Sequence, residues 1–197
     1  MTTRVEMLKG FPRKLKVCEA GTRRCVYAKY MISEKWLDPD HLYLIDIKTN
    51  SDVEKFNNQH ENVTFLKGTF EDMIPNIGKV DMVYIDGMHS YEEVSKDLRD
   101  FTPVATRWLA GHDWIPEGTI MGNLKSIAEF GVRKAVMDWL DTNDYYLTYV
   151  SDDISNKDHD PDANWPTPSA RPLYSWVVSK TKDDHDLFLN NLGKYND

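Results

Sequence analysis

The chain has 197 residues, 41% hydrophobic, 12% aromatic and 28% charged, which fits one soluble globular domain. No apolar run is long enough to span a bilayer, so no membrane association is expected. The net charge of −8 argues against nucleic acid as a partner, because phosphates are gripped through Lys/Arg patches.

Residues 1–14 form a short arm before the first strand, and the first residues lack the apolar core of a secretory signal. Residues 1–24 carry seven basic side chains (Arg4, Lys9, Arg13, Lys14, Lys16, Arg23, Arg24) against Glu6 and Glu19, and read as a solvated face. From residue 15 to 141, strand-like runs alternate with amphipathic helical ones, the signature of a doubly wound α/β sheet. The strands are expected at Leu15–Glu19, Leu42–Ile47, Val63–Lys67, Val80–Asp86 and Arg107–Gly111. The helices are expected at Arg24–Lys35, Asp52–Asn58, Phe70–Asn76, Tyr91–Phe101 and Leu124–Asp141, the fourth announced by a capping box of Ser90 and Glu93. Tyr145–Val150 and Leu173–Ser179 then read as two strands of a long hairpin, with an irregular proline- and aspartate-rich excursion over 151–172 between them. Asp184–Leu192 reads as a short terminal helix. Cys18 and Cys25 are too few for a disulfide framework and have no metal-like spacing, so buried thiols in a reducing, cytoplasmic setting are expected.

The polar residues gather at the carboxyl ends of the strands, where open α/β sheets bind their ligands. Glu19-Ala20-Gly21-Thr22-Arg23-Arg24-Cys25 joins the first strand to the first helix, and Gly21 lets the backbone turn tightly and present amides to a ligand. The full G-x-G-x-x-G pattern of nicotinamide-binding folds is absent, but Asp46 ends the second strand where an acid can accept hydrogen bonds from ribose hydroxyls. Lys67-Gly68-Thr69-Phe70-Glu71-Asp72, Asp86-Gly87-Met88-His89-Ser90-Tyr91-Glu92 and Gly111-His112-Asp113-Trp114 follow the third, fourth and fifth strands. Trp114 and Trp165 are the tryptophans placed nearest this edge, Trp165 as a platform for an acceptor face.

With Val80-Asp81-Met82-Val83-Tyr84-Ile85 leading into that fourth segment, the sequence resembles class I S-adenosylmethionine-dependent methyltransferases over roughly residues 15–180. Within them it resembles small-molecule O-methyltransferases related to catechol and macrolide-sugar O-methyltransferases and cephalosporin hydroxylase-like proteins. The resemblance implies a Rossmann-like seven-stranded sheet in the order 3-2-1-4-5-7-6 with strand 7 antiparallel. By position it places Glu19, Gly21, Thr22 and Arg23 along the methionine part of S-adenosylmethionine, Asp46 at its ribose, Thr69 and Phe70 beside the adenine, and Asp86 among the cofactor-binding residues. Relatives commonly carry a second glycine where this chain has Cys25, which bears on how closely the first helix approaches the sheet. They also carry a longer N-terminal helical segment, so part of the substrate lid is either missing or supplied by a second subunit of a homo-oligomer.

The expected activity is methyl transfer to a hydroxyl of a small-molecule acceptor such as a sugar or polyol. His89 is the expected general base, three residues beyond Asp86 on one turn. Asp86 and Asp113, at the ends of neighbouring strands, are expected to hold Mg²⁺ or another divalent cation, with His112 as the third protein ligand. The alternatives are metal-free catalysis, a nicotinamide-dependent oxidoreductase served by the same glycine turn and Asp46, and a non-catalytic cofactor-binding module.

Overall fold

The computed structural model describes residues 4–114, 131–150 and 174–194. Strands β1 (Lys16–Ala20), β2 (His41–Asp46), β3 (Val63–Lys67), β4 (Val80–Ile85), β5 (Ala105–Gly111), β6 (Tyr146–Val150) and β7 (Trp176–Ser179) form one sheet in the order β3-β2-β1-β4-β5-β7-β6. The first five pair in parallel, and β7 runs antiparallel between β5 and β6. This is the order, and the antiparallel strand, that the family resemblance implied. Long crossovers follow from the parallel pairing, because parallel neighbours cannot be joined by a tight turn.

Helices α1 (Val26–Ile32), α2 (Ser51–Gln59), α3 (Phe70–Met73), α4 (Tyr91–Phe101), α5 (Val132–Leu140) and α6 (Lys182–Gly193) cover both faces, joined by a 3-10 turn at Glu6–Gly10. Successive strand residues point to opposite faces, so both faces must be apolar when both are covered. On one face Val17, Leu44, Met82, Tyr84, Trp108 and Val177 pack with Met7 and Leu8 of the 3-10 turn, Tyr27 and Met31 of α1, Phe56 of α2 and Phe188 of α6. On the other, Cys18, Ile45, Val83, Ile85 and Leu109 pack with Leu98 and Phe101 of α4 and Val136 and Trp139 of α5. Both cysteines are buried with free thiols.

Helix starts follow local chemistry. Asn50, Thr69, Ser90 and Thr181 each accept a backbone N–H of the first turn through a side-chain oxygen. For α4 this is the capping box expected from Ser90 and Glu93: Glu93 N–H donates to Ser90 Oγ at 3.3 Å, and the Ser90 hydroxyl donates to the Glu93 carboxylate at 2.8 Å.

Most element bounds shift by one to three residues from those read in the sequence, and three helices differ for reasons visible in the structure. Helix α1 begins at Val26 rather than Arg24, because Arg23 and Cys25 adopt left-handed conformations (φ 47° and 57°) that a helix cannot include. The third helix shortens to Phe70–Met73 and tightens into a 3-10 turn at Ile74–Asn76, where Pro75 has no N–H to continue the ladder. The helix expected over Leu124–Asp141 occupies Val132–Leu140, its residues 124–130 lying outside the described residues, as do the 151–172 excursion, Trp165 and Leu173. Among the described residues no helix is long and apolar enough to cross a membrane.

Candidate active site

Backbone pairing continues one residue past the ends of the central strands and sets the site in register. Gly68 N–H donates to Asp46 C=O, Gly21 N–H to Ile45 C=O, Asp86 N–H to Ala20 C=O and His112 N–H to Ile85 C=O, at 2.8 to 3.2 Å. The residues following β3, β1, β4 and β5 therefore stand side by side along one edge. Gly21 takes φ +95°, open to glycine at little cost, and lies so close to the Asp86 carbonyl that an added Cβ would collide with it. The β1–α1 turn is thus pressed against the end of β4.

Glu19, Gly21, Thr22, Arg23, Asp46 and Asp86 are brought to this edge. Thr22 is buried and its hydroxyl donates to Glu19 Oε2 at 3.3 Å. Asp46 accepts the Arg23 N–H through one carboxylate oxygen at 2.8 Å and the Lys48 N–H through the other at 2.9 Å. It fixes the turn while each oxygen keeps lone-pair capacity for a further donor. The Arg23 side chain is exposed, so only its backbone is part of this cradle. Thr69 is exposed and spends its hydroxyl on capping α3, whereas the Phe70 ring packs against Gly87 just past β4 and reaches across the edge. Cys25 is fully buried, with its Sγ 3.6 Å from Thr22 Oγ1, and its φ of 57° accounts for a glycine being suited to that position.

Glu19 is 2% exposed, and burial pushes its carboxyl up to about 8 against the pull of nearby Arg4. Sequence reading missed that arginine. Arg4 belongs to the basic opening segment expected to be a solvated face, and Arg13, Lys14, Lys16, Arg23 and Arg24 are indeed exposed. The Arg4 side chain, by contrast, is 15% exposed and bonds Asp86 Oδ2 at 2.6 Å. Its guanidinium lies 4.2 Å from the Tyr27 ring centroid and 5.1 Å from that of Tyr84.

Beyond β5, Asp113 is buried and held at φ 57°. His89 Nε2 lies 2.7 Å from Asp113 Oδ2 and His112 Nδ1 lies 3.4 Å from Asp113 Oδ1. Burial alone would raise the Asp113 carboxyl, but the two imidazoles hold it far below the usual carboxylate range. Burial pulls His89 down, yet Asp113 outweighs it and the imidazole titrates above its ordinary value. Ligand-capable atoms of Asp86, His89 and Asp113 all lie within 4.8 Å of one another. His112, the imidazole expected beside the two carboxylates, is 4.0 Å from Asp86 Oδ1. A shallow opening lies among Asp86, His89, His112 and Trp176. Trp114 is buried in the core just beyond Asp113.

Residues 19–114 match a family described as a methyltransferase domain, a span that begins at the Glu19 end of β1 and closes at Trp114 after β5. It contains the whole strand-end series. The fold is similar to that of the M1A22 tRNA methyltransferase of Bacillus subtilis (13% identity, 94% of this chain and 68% of that chain, TM-score 0.59). It is also similar to magnesium protoporphyrin IX methyltransferase from Synechocystis PCC 6803 with bound S-adenosylhomocysteine (14% identity, 86% and 75%, TM-score 0.59). A third similar structure is Aeropyrum pernix fibrillarin with bound S-adenosyl-L-methionine (10% identity, 88% and 72%, TM-score 0.58). No curated protein matches the sequence. The chain has the Rossmann-like fold of class I methyltransferases.

Proposed function

We propose that this protein transfers the methyl group of S-adenosylmethionine to a hydroxyl of a small molecule, a sugar or other polyol being the class of acceptor. The observation that carries the reading is the alignment of Glu19, Gly21, Asp46 and Asp86 along one sheet edge, in a fold otherwise found with this cofactor or its product bound. The residues fit the group. Buried and half-buried carboxylates at Glu19 and Asp86 suit a ligand bearing a sulfonium and an ammonium, and Asp46 suits a ribose diol. S-adenosylmethionine, when bound, supplies an electrophilic methyl carbon.

The protein's own part is to hold the acceptor oxygen in line with that carbon and to take its proton. The His89–Asp113 pair suits the second task. Asp113 orients the imidazole and stabilises it once charged, and His89 accepts the hydroxyl proton as the C–O bond forms. The buried Asp113 carboxylate favours a proton arriving on His89, because the pair is then neutral overall.

A second reading is favoured by the clustering of Asp86, His89 and Asp113. Mg²⁺ or another divalent cation held by the two carboxylates, with His89 or His112 as a third ligand, would lower the pKa of the acceptor hydroxyl. With His89 as the third ligand the two readings exclude each other, because that imidazole cannot at once ligate a metal and be the free base; with His112 in that place His89 keeps its role as base beside the metal. Activity that survives EDTA undiminished selects the proton-relay reading, and activity lost to EDTA and restored by Mg²⁺ selects the metal.

A thermal-shift and calorimetric screen with S-adenosylhomocysteine, NAD and NADP tests the central proposal. S-adenosylhomocysteine is expected to bind and stabilise. A response to NAD or NADP alone would replace the methyltransferase reading with an oxidoreductase one, and binding without turnover on any hydroxylated acceptor would leave a cofactor-binding module.

A further inference from the structure

The segment preceding the 3-10 turn brings Arg4 over the junction of β1 and β4 rather than out into solvent. Its guanidinium bonds Asp86 Oδ2 at 2.6 Å and faces the rings of Tyr27 and Tyr84. The Tyr27 hydroxyl donates to the Arg4 carbonyl at 3.2 Å, so the backbone is tied at the same point as the side chain. Val5, Met7 and Leu8 follow directly and are buried, which fixes where the arginine emerges. Taking a guanidinium out of water is costly unless its partners are matched in charge and geometry, so this placement needs a reason beyond packing.

The charges around it provide one. The Asp86 carboxylate, the Arg4 guanidinium and the Glu19 carboxyl, which burial holds towards its neutral form until a cation is brought to it, meet beside the Gly21 turn. An α-amino acid presents the complement, one ammonium and one carboxylate on a single carbon. We infer that Arg4 anchors the α-carboxylate of the methionine half of S-adenosylmethionine while Asp86 and Glu19 receive its α-ammonium. This inference rests on the methyltransferase reading and deepens it. A guanidinium has five N–H donors in a planar fork and can hold Asp86 and a second carboxylate together, which a lysine ammonium does with poorer geometry. In the absence of ligand, Asp86 keeps the guanidinium aimed, so binding requires no reorganisation of the segment.

The test uses S-adenosylhomocysteine and its decarboxylated analogue, in which hydrogen replaces the α-carboxylate, titrated calorimetrically into the full chain and into R4Q and R4K. The unsubstituted protein is expected to prefer S-adenosylhomocysteine by tenfold or more. R4Q is expected to weaken that ligand by roughly ten- to a hundredfold, the range for a lost charge-assisted pair, while changing the decarboxylated analogue little, so that the preference collapses toward one. R4K should keep only part of the preference. If R4Q retains the full preference, or fails to fold and R4K retains it in full, the anchor is overturned and the methyltransferase reading stands. If the unsubstituted protein binds neither ligand, the methyltransferase reading itself falls.

Discussion

Glu19 is a buried acid whose ionisation works against the stability of the fold. Its carboxyl titrates near 8 in the folded chain against an ordinary value of 4.5, because burial disfavours the charged form. Below pH 4.5 the group is protonated in folded and unfolded states alike and contributes nothing. As pH rises from 4.5 towards 8 the unfolded chain ionises while the folded one resists, so stability is lost across that window. Glu19→Gln keeps an acceptor for the Thr22 hydroxyl and removes the titration. It is expected to be more stable than the parent at pH 7–8, by on the order of 1–3 kcal/mol, with the gain vanishing near pH 4.5. Thermal melts across pH check this, and a gain that persists at low pH would contradict it. The same variant should bind S-adenosylhomocysteine more weakly, which separates the ligand role from the structural one. At Asp113 the expectation is catalytic. Asp113→Asn still accommodates the left-handed backbone but no longer offers His89 a charged partner, so kcat should drop by roughly 10²–10⁴ with cofactor affinity nearly unchanged. An active Asp113→Asn enzyme would remove the pair from the mechanism.

At the scale of elements, β3 and α4 fall within the bounds read from sequence, and for local reasons: a run of β-branched and aromatic residues in one, a Ser–Glu capping box in the other. Elements whose limits depend on remote neighbours were less legible. The two left-handed residues that delay α1 are needed because Gly21, Thr22 and Arg23 must reach the backbone of β2 and the carboxylate of Asp46. The 3-10 turn at Glu6–Gly10 carries no periodicity and forms against α6, and the Arg4–Asp86 pair joins residues 82 positions apart. No window of sequence contains that pairing. The candidate site was legible to the extent that it lies at strand ends, and illegible where a partner arrives from the opening segment. Helices α4 and α5 give a prediction of their own. Gly131, at the start of α5, donates its N–H to the His89 carbonyl at 2.8 Å and lies against the backbone of Tyr91, leaving no room for a Cβ. Gly131→Ala is expected to part the two helix starts, costing about 1–3 kcal/mol in chemical denaturation and displacing His89, so that turnover falls more than cofactor binding. Unchanged stability and turnover would show that this junction has no influence on the site.

Across the whole molecule, the proposed cofactor edge and acceptor side lie on one continuous sheet, but the cover on the Arg4 side comes from two segments far apart in sequence. The Phe188 ring of α6 lies on Gly10 and meets Phe11 edge-on with ring centroids 4.9 Å apart, and Asn191 donates to the Gly10 carbonyl at 3.3 Å. Phe188 is fully buried, so Phe188→Ala should cost about 3–5 kcal/mol, whereas Phe188→Leu should cost much less. If Arg4 is the anchor, the alanine variant should also lose S-adenosylhomocysteine affinity beyond what its unfolded fraction explains, although α6 packs chiefly on the 3-10 turn, β6 and β7. Calorimetry on the folded fraction reads this directly, and normal affinity would uncouple α6 from the site.

That latch also orders events during synthesis. Translation delivers the Gly21 turn, Asp46, Asp86 and Asp113 well before α6, which follows every other described element. Until α6 leaves the ribosome, Met7, Leu8 and Phe11 lack their cover, and the segment bearing Arg4 has little to hold it over the sheet. A nascent chain therefore carries most of the strand-end residues without a finished crevice, and on the proposed function competence to bind the cofactor arrives late and abruptly, with the helical turns of α6 rather than with the strand ends themselves.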